Sequence, residues 1–132
     1  MSESVTYNDS KLVVSQLLSA QSIYSMAFES ALRVFELSVR FPKDGQDSLH
    51  NRVLKSSSGV CSNLLGAWQN RNNNRIFHAR LDQASIDISD TQSQIEEALN
   101  ARLLDKKSAI DLFEAYDRII DGIVTTIKDS KQ

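Results

Sequence analysis

The sequence predicts an all-α protein, folded as an antiparallel up-down-up-down four-helix bundle. Its 132 residues include only four glycines and one proline, too few for a protein built of strands and turns. Apolar residues recur at steps of three and four in four long stretches, a spacing that places them on one face of a helix. The segments between these stretches are short, and short connections join antiparallel neighbours.

The length and composition predict a single bundle domain, residues 19–132, preceded by a partly helical N-terminal extension, residues 1–18. A single cysteine rules out an internal disulfide and favours a reducing compartment. The polar N-terminal stretch, with Glu3 and Asp9, is unlike a secretory signal. No apolar run approaches the roughly 18 residues of a membrane span. We therefore expect a cytoplasmic protein with no membrane partner.

The first bundle helix is predicted from about Ser19 up to the turn at Pro42. Proline disfavours helical geometry at Phe41, and Gly45 supplies the reversal that follows. Whether the apolar segment 12–18 continues into this helix is left open by the pattern. The helical pattern of this segment is Ile23, Tyr24, Ala27, Phe28, Ala31, Leu32, Val34, Phe35 and either Leu37 or Ser38.

The second helix is expected to begin near Asp44 or Asp47, because either carboxylate can cap the free amides of a first turn. Its centre, 56–59, consists of small residues that form helix poorly, at up to about 1 kcal/mol each relative to alanine. This predicts close approach by a neighbouring helix; the alternative is a tolerated defect. The inward row is Leu49, Val53, Leu54, Ser57, Val60, Cys61, Leu64 and Trp68.

An asparagine-rich loop, residues 69–74, separates the second helix from the third, and its last residues can cap the third. The third helix should run to about Arg102, roughly 38 Å at 1.5 Å per residue. Its stripe is Phe77, Leu81, Ala84, Ile88, Thr91, Ile95, Ala98 and Leu99. Asp105 or Ser108 can cap the fourth helix. That helix is expected to bury Ile110, Leu112, Phe113, Tyr116, Ile119, Ile120, Ile123, Val124 and Ile127.

Charge is unevenly distributed around a net value of −2. Residues 40–80 hold seven basic and two acidic side chains, whereas the rest of the chain holds eight basic and fifteen acidic ones. The candidate nucleic-acid contacts are Arg71 and Arg75 at one end of the second helix and Arg52 and Lys55 towards the other, nearly 30 Å away at about 1.5 Å per residue. The alternative is a solvated face with ion pairs, and the acidic overall balance argues against a large phosphate-binding footprint.

No catalytic or metal-binding constellation stands out in the sequence. His50 and His78 are isolated from other ligand types at metal-binding spacing. Cys61 has no histidine or cation beside it and falls near the inward face, which favours a buried inert thiol. The carboxylates lack the Glu-x-x-His pattern of di-iron bundles. We therefore predict no enzyme activity and no cofactor.

One set of residues occurs in a characteristic order along about 23–127. It comprises Ala27, Ala31 and Phe35 before Phe41-Pro42, then Leu49, Ser62-Asn63-Leu64, Trp68 before a basic turn, Phe77, Leu81, Ala84, Asp90, Gln94-Ile95-Glu96 and Ala98. In these residues the chain resembles a family of small bacterial four-helix bundles. That family includes proteins encoded in intervening sequences of large-subunit ribosomal RNA genes and, more remotely, the accessory variability determinant proteins of diversity-generating retroelements.

The resemblance implies a homo-oligomer, commonly a pentameric ring, without enzyme activity. The retroelement relatives carry a basic surface and partner a reverse transcriptase and nucleic acid, but this chain is more similar to the intervening-sequence members. Asp90 and Gln94, one turn apart at family-like positions, are candidates for a polar link between subunits or helices; a solvated face or a ligand contact are the alternatives. The leading hypothesis is a non-enzymatic scaffold or binding module whose partners are copies of itself and a second protein. The alternative is an RNA- or DNA-binding accessory protein using Arg71, Arg75, Arg52 and Lys55.

Overall fold

The computed structural model describes residues 22–130, and all regular structure within them is helical. Helix α1 covers residues 22–37 and passes into one 3₁₀ turn, Ser38–Arg40. Helices α2, α3 and α4 follow at Leu49–Gln69, Asn74–Asn100 and Lys106–Ser130. The predicted all-α four-helix bundle is confirmed. The predicted N-terminal extension, residues 1–18, lies outside the described residues.

The connection from α1 to α2 follows the predicted turn, but its cap differs. Gly45 adopts a φ of +85°, a left-handed conformation that glycine tolerates because it lacks a Cβ. The N-cap of α2 is Ser48, whose side chain accepts a hydrogen bond from the amide of Asn51 at 3.2 Å. The predicted caps, Asp44 and Asp47, are therefore wrong. Asp44 and Asp47 both lie before the N-cap, which is the residue directly preceding the first helical residue. A short side chain reaches the free amides of the first turn from the N-cap position.

The caps of α3 and α4 agree with the sequence prediction. Asn73 caps α3 by accepting a hydrogen bond from the amide of Ile76 at 3.2 Å. Asp105, one of two candidates, accepts one from the amide of Ser108 at 3.0 Å and so caps α4. Each cap satisfies an amide that has no partner inside its own helix.

Helix α3 ends in a Schellman motif with an arginine at the position that usually holds glycine. The amide of Leu103 donates to the carbonyl of Ala98 at 2.9 Å, and the amide of Arg102 donates to the carbonyl of Leu99 at 3.0 Å. Arg102 has a φ of +61° and is the one described non-glycine residue with a positive φ. The chain reversal therefore strains the backbone at Arg102, because a residue with a Cβ disfavours a positive φ.

The bundle core is a continuous apolar cluster to which all four helices contribute. Helix α1 packs closely against α4 at Gly122, where an added Cβ would lie 2.8 Å from Cγ1 of Ile23. The α3 stripe is buried as predicted from Leu81 to Ala98. Each fully buried isoleucine contributes about 1.5–3 kcal/mol through removal of its side chain from water. The most deeply buried large side chains include Tyr116, Ile88, Ile95, Ile119, Ile123, Val53 and Val60.

Four expected core positions of α2 and α4 lie outside the core cluster: Leu54, Trp68, Ile110 and Val124. Ala67, and not the half-buried Trp68, completes the buried row of α2. Ile110 and Val124 are 43% and 45% exposed. Each of these two follows a buried residue of α4 directly, which rotates its side chain about 100° away from the core.

Candidate interaction surface

Helix α1 has two apolar faces, and one of them is exposed. Its core face is buried at Ile23, Ala27 and Val34. The other face, here called the α1 stripe, carries large apolar side chains that are between 36% and 59% exposed, at successive steps of four, four, three and four residues. The members of the α1 stripe are Tyr24, Phe28, Leu32, Phe35 and Val39. A contiguous apolar row of this kind marks an interaction site, whereas singly scattered exposed residues do not.

A row of charged side chains with alternating sign runs beside the α1 stripe. Glu29, Arg33, Glu36 and Arg40 follow one another at steps of four, three and four residues, and all are exposed. Nη1 of Arg33 lies 3.5 Å from Oε2 of Glu36. An apolar seam flanked by alternating charges is the pattern that helices use when they pack against other helices.

The sequence contained a signal for this second face. Helix α1 holds adjacent apolar pairs such as Ile23 with Tyr24 and Val34 with Phe35. Adjacent residues lie 100° apart around a helix, so the apolar surface is wider than one core stripe. The pattern could not show which residue of each pair faces the core, because that depends on where the other helices lie.

Helices α2 and α3 are joined by polar contacts, one of which involves the candidate Gln94. The hydroxyl of Ser56 donates to Oε1 of Gln94 at 2.7 Å and accepts from the buried hydroxyl of Thr91 at 2.7 Å. Asp90, the other member of the predicted pair, is exposed and forms no hydrogen bond or ion pair with another described residue. The structure thus places Gln94 between two helices and Asp90 at the surface.

A second polar contact between these helices was not predicted from the sequence. Nδ2 of Asn63 donates to Oδ2 of Asp87 at 2.9 Å, and Oδ1 of Asn63 accepts from Nη1 of Arg80 at 3.1 Å. The carboxylate of Asp87 rests against Gly59. The small-residue centre of α2 was the one sequence signal for this contact, and it pointed to a close approach without naming the group that approaches.

Arg52, a candidate nucleic-acid contact, is engaged within the bundle. Its Nη1 and Nη2 donate to Oε1 and Oε2 of Glu97 at 3.2 and 2.8 Å, and its Nε donates to the carbonyl of Asp47 at 2.8 Å. The hydrogen bonds from Arg52 lower the pKa of Glu97, and the reciprocal bonds raise the pKa of Arg52. The nearby Lys55 is exposed.

Arg71 and Arg75 lie at the opposite end of α2, around the α2–α3 turn. The guanidinium carbon of Arg71 lies 4.2 Å from the ring centroid of Trp68, and its Nη1 donates to the carbonyl of the same residue at 3.0 Å. Arg75 is exposed and makes no hydrogen bond to another described side chain. The two predicted basic clusters therefore do not form one patch within a single chain.

A family model described as 23S rRNA-intervening sequence protein matches residues 19–125 of the chain. The chain belongs to the 23S rRNA-intervening sequence protein family. The match covers almost the whole four-helix bundle, so the family assignment and the fold rest on the same residues. No curated protein matches the chain significantly.

A solved structure supports the fold of this 23S rRNA-intervening sequence protein. It is a protein of unknown function from the S23 ribosomal protein family of Bacteroides thetaiotaomicron, to which the chain is similar with a TM-score of 0.72 and 17% sequence identity. The similarity covers 83% of this chain and 98% of the other. At this identity the likeness concerns the fold alone.

In this 23S rRNA-intervening sequence protein, four side chains that could act as nucleophiles or proton carriers have buried or hydrogen-bonded surroundings: Cys61, Tyr116, His50 and His78. Burial raises the pKa of the half-buried Cys61 thiol, which therefore stays protonated at neutral pH. Burial likewise raises the pKa of Tyr116, whose hydroxyl has no hydrogen-bond partner among the described residues. Nδ1 of His50 lies 3.0 Å from the carbonyl oxygen of Ser38, and Nε2 of His78 lies 2.8 Å from a serine hydroxyl near the end of α4.

Residues 22–130 contain neither a cluster of metal ligands nor a helix able to span a membrane. No three His, Cys, Asp or Glu side chains in this range lie close enough together to hold a metal ion. None of the helices in the same range is both long and apolar enough to cross a bilayer.

Proposed function

We propose that this 23S rRNA-intervening sequence protein is a non-enzymatic helical bundle that assembles with copies of itself and acts as a scaffold or binding module. The α1 stripe is the observation that carries the proposal. Five large apolar side chains in contact with water represent an unfavourable free energy, at about 25 cal/mol per Å² of apolar surface, that a helix–helix interface would recover.

A second copy is the occupant favoured by the charges beside the α1 stripe. Glu29, Arg33, Glu36 and Arg40 alternate in sign, so they offer complementary partners to a surface that carries the same row. A row that pairs with its own copy makes a two-fold interface, whereas the ring, commonly a pentamer, that the family resemblance implies requires the α1 stripe to contact a different surface of the next subunit; the solution mass distinguishes the two arrangements. Tyr24, Phe28 and Phe35 are the aromatic anchors that such an interface uses.

We propose no enzyme activity because the reactivity and the positions of the candidate side chains do not suit catalysis. The Cys61 thiol, half-buried and with a raised pKa, is a poor nucleophile at neutral pH. The half-buried Asp87 and Gln94 spend their polar atoms on contacts between α2 and α3. These side chains form structural contacts. They do not converge on one substrate position, as the groups of an acid–base catalyst must.

Measurement of solution mass tests the proposal. We expect light scattering to give a multiple of the 14.8 kDa chain mass for the wild type. The double variant Phe28→Ser/Phe35→Ser should fall to the mass of a monomer with unchanged helical circular dichroism, because both side chains are exposed within one chain. Ile110→Ser/Val124→Ser is the matched control, since it removes two similarly exposed apolar residues of α4 and should keep the oligomer. A monomeric wild type, or equal loss of mass in the control, would exclude the proposed interface.

The second candidate is a nucleic-acid-binding accessory protein, favoured by the exposure of Lys55 and Arg75. Both side chains are free of hydrogen bonds to other described residues, whereas Arg52 and Arg71 spend donors within the bundle. The affinity for an RNA oligonucleotide should then fall steeply with rising salt and drop in Lys55→Ala/Arg75→Ala. An affinity insensitive to both changes would end this hypothesis.

A further inference from the structure

A cleft lies at the end of the bundle where the last turn of α1 and the 3₁₀ turn meet the α3–α4 connection. Its volume is about 620 Å³, within the range of small-molecule sites. Three arginines and two carboxylates line it: Arg33, Arg40, Arg102, Glu36 and Asp105. Its apolar lining includes Leu37, Leu99 and Leu103. The cleft therefore combines cationic side chains with an apolar wall.

Two of these arginines have no counter-ion within the described chain. Arg33 pairs with Glu36 at 3.5 Å. Arg40 and Arg102 form no ion pair and no side-chain hydrogen bond with another described residue. The nearby carboxylate of Asp105 is already hydrogen-bonded to the first turn of α4. Both guanidinium groups are exposed at the cleft and have donors that an anion bound there can use.

The backbone at Arg102 provides a second, independent observation. Arg102 occupies the glycine position of the Schellman motif, with a φ of +61°. Glycine would make the same turn without the strain that a Cβ introduces. An arginine at this position lowers local backbone stability and, in return, brings a guanidinium group to the cleft. Strained residues of this kind concentrate at binding sites.

We propose that this cleft binds a small phosphorylated molecule through Arg40 and Arg102. The planar guanidinium fork matches two phosphate oxygens, and two unpaired guanidinium groups balance the two charges of a phosphate monoester. The apolar or planar body of the ligand lies against Leu37, Leu99 and Leu103. All of these residues belong to one chain. Arg40 also lies in the charged row beside the α1 stripe, so assembly through that stripe competes for its guanidinium group and the unassembled chain leaves the site fully open.

The test is an NMR titration of the full chain with inorganic phosphate and with AMP. We expect shifts of the amide signals of Arg40, Arg102 and Leu103 with both probes, and tighter binding of AMP because its body contacts the apolar wall. Arg40→Ala and Arg102→Gly should each weaken AMP binding about tenfold or more, the loss of one charge-assisted contact. Arg102→Gly is informative because glycine suits the turn, so its thermal midpoint should equal or exceed that of the wild type.

Arg75→Ala is the matched control, because Arg75 is an exposed arginine at the opposite end of the bundle. It should bind AMP as the wild type does. The monomeric Phe28→Ser/Phe35→Ser variant should also retain AMP binding, which separates this site from the proposed interface. The inference is wrong if neither probe shifts these amides, if AMP binds no more tightly than phosphate, or if Arg75→Ala weakens binding as much as Arg102→Gly. Binding confined to long RNA would overturn it as well.

Discussion

The carboxylate of Asp87 on α3 lies directly against Gly59 on α2: a Cβ added at Gly59 would be 2.5 Å from Oδ2 of Asp87. The same oxygen accepts a hydrogen bond from Asn63 at 2.9 Å. The close approach predicted from the small residues of α2 thus involves an acidic side chain. Glycine at this position leaves the space in which Asp87 reaches its partner.

We expect Gly59→Ala to lower the free energy of unfolding by about 1 kcal/mol. The added methyl group displaces Asp87 and breaks its hydrogen bond with Asn63, a bond to a charged group worth about 1.5–3 kcal/mol. The gain in helix propensity from glycine to alanine, about 1 kcal/mol, offsets only part of this loss. Urea denaturation followed by circular dichroism measures the difference.

The same substitution in an Asp87→Ala background is the control. There the space is empty, so Gly59→Ala should raise the free energy of unfolding by its helix propensity alone. Ser58→Ala, at the exposed neighbouring position, should give a small gain in either background. An equal effect of Gly59→Ala in both backgrounds would show that the two residues are not coupled.

Glu97→Gln should reveal a pH-dependent contribution from the Arg52–Glu97 pair. Hydrogen bonds from Arg52 lower the pKa of Glu97 in the folded state. The pair therefore stabilises the fold above the ordinary glutamate pKa of about 4.3, and this stabilisation is lost as the pH falls through the lowered folded value.

The size of this effect is limited by exposure, since half of the Glu97 side chain and more than a third of the Arg52 side chain face solvent. Near neutral pH we expect the free energy of unfolding of the wild type to be higher than that of Glu97→Gln by up to about 1 kcal/mol. The two should converge in acid. Glu96→Gln, which changes an exposed neighbour outside the pair, is the matched control. A wild-type advantage that persists below the folded pKa of Glu97 would assign the stabilisation to packing.

Tyr116→Phe should leave the stability unchanged or raise it by about 1 kcal/mol. The hydroxyl of Tyr116 is fully buried and has no hydrogen-bond partner among the described residues, so its removal relieves a desolvation cost. Thermal and urea denaturation report the change, with Tyr24→Phe on the exposed face of α1 as the control. Loss of more than about 1 kcal/mol in Tyr116→Phe would reveal a hydrogen bond to this hydroxyl.

Gln94→Ala and Asp90→Ala should differ, although the two residues are one turn apart. Gln94 accepts the hydrogen bond of Ser56, so its removal leaves a buried hydroxyl with one partner fewer and should cost about 1 kcal/mol. Asp90→Ala should change the free energy of unfolding by less than about 0.5 kcal/mol, as is usual for surface substitutions. If Asp90→Ala instead lowers the solution mass, Asp90 belongs to a subunit contact.

The periodicity of the chain was sufficient to predict the helices, since the three-and-four spacing of α3 left one consistent inward stripe. Helix ends were harder, because Ser48 and Asp47 are both good caps and differ by a single position. The Arg52–Glu97 pair joins residues 45 positions apart, and no spacing rule connects them before the two helices are aligned. Arg102 escaped prediction because the usual signal for its turn is glycine.

The polar contacts between α2 and α3 also decide how far along each other the two helices sit. Their apolar stripes repeat, so a slide of α3 by one turn, about 5.4 Å, would still bury comparable apolar area. Such a slide would separate Glu97 from Arg52 and carry the carboxylate of Asp87 away from Gly59 and from its partner Asn63. A few hydrophilic contacts thus select a single alignment from several that the apolar residues alone would accept.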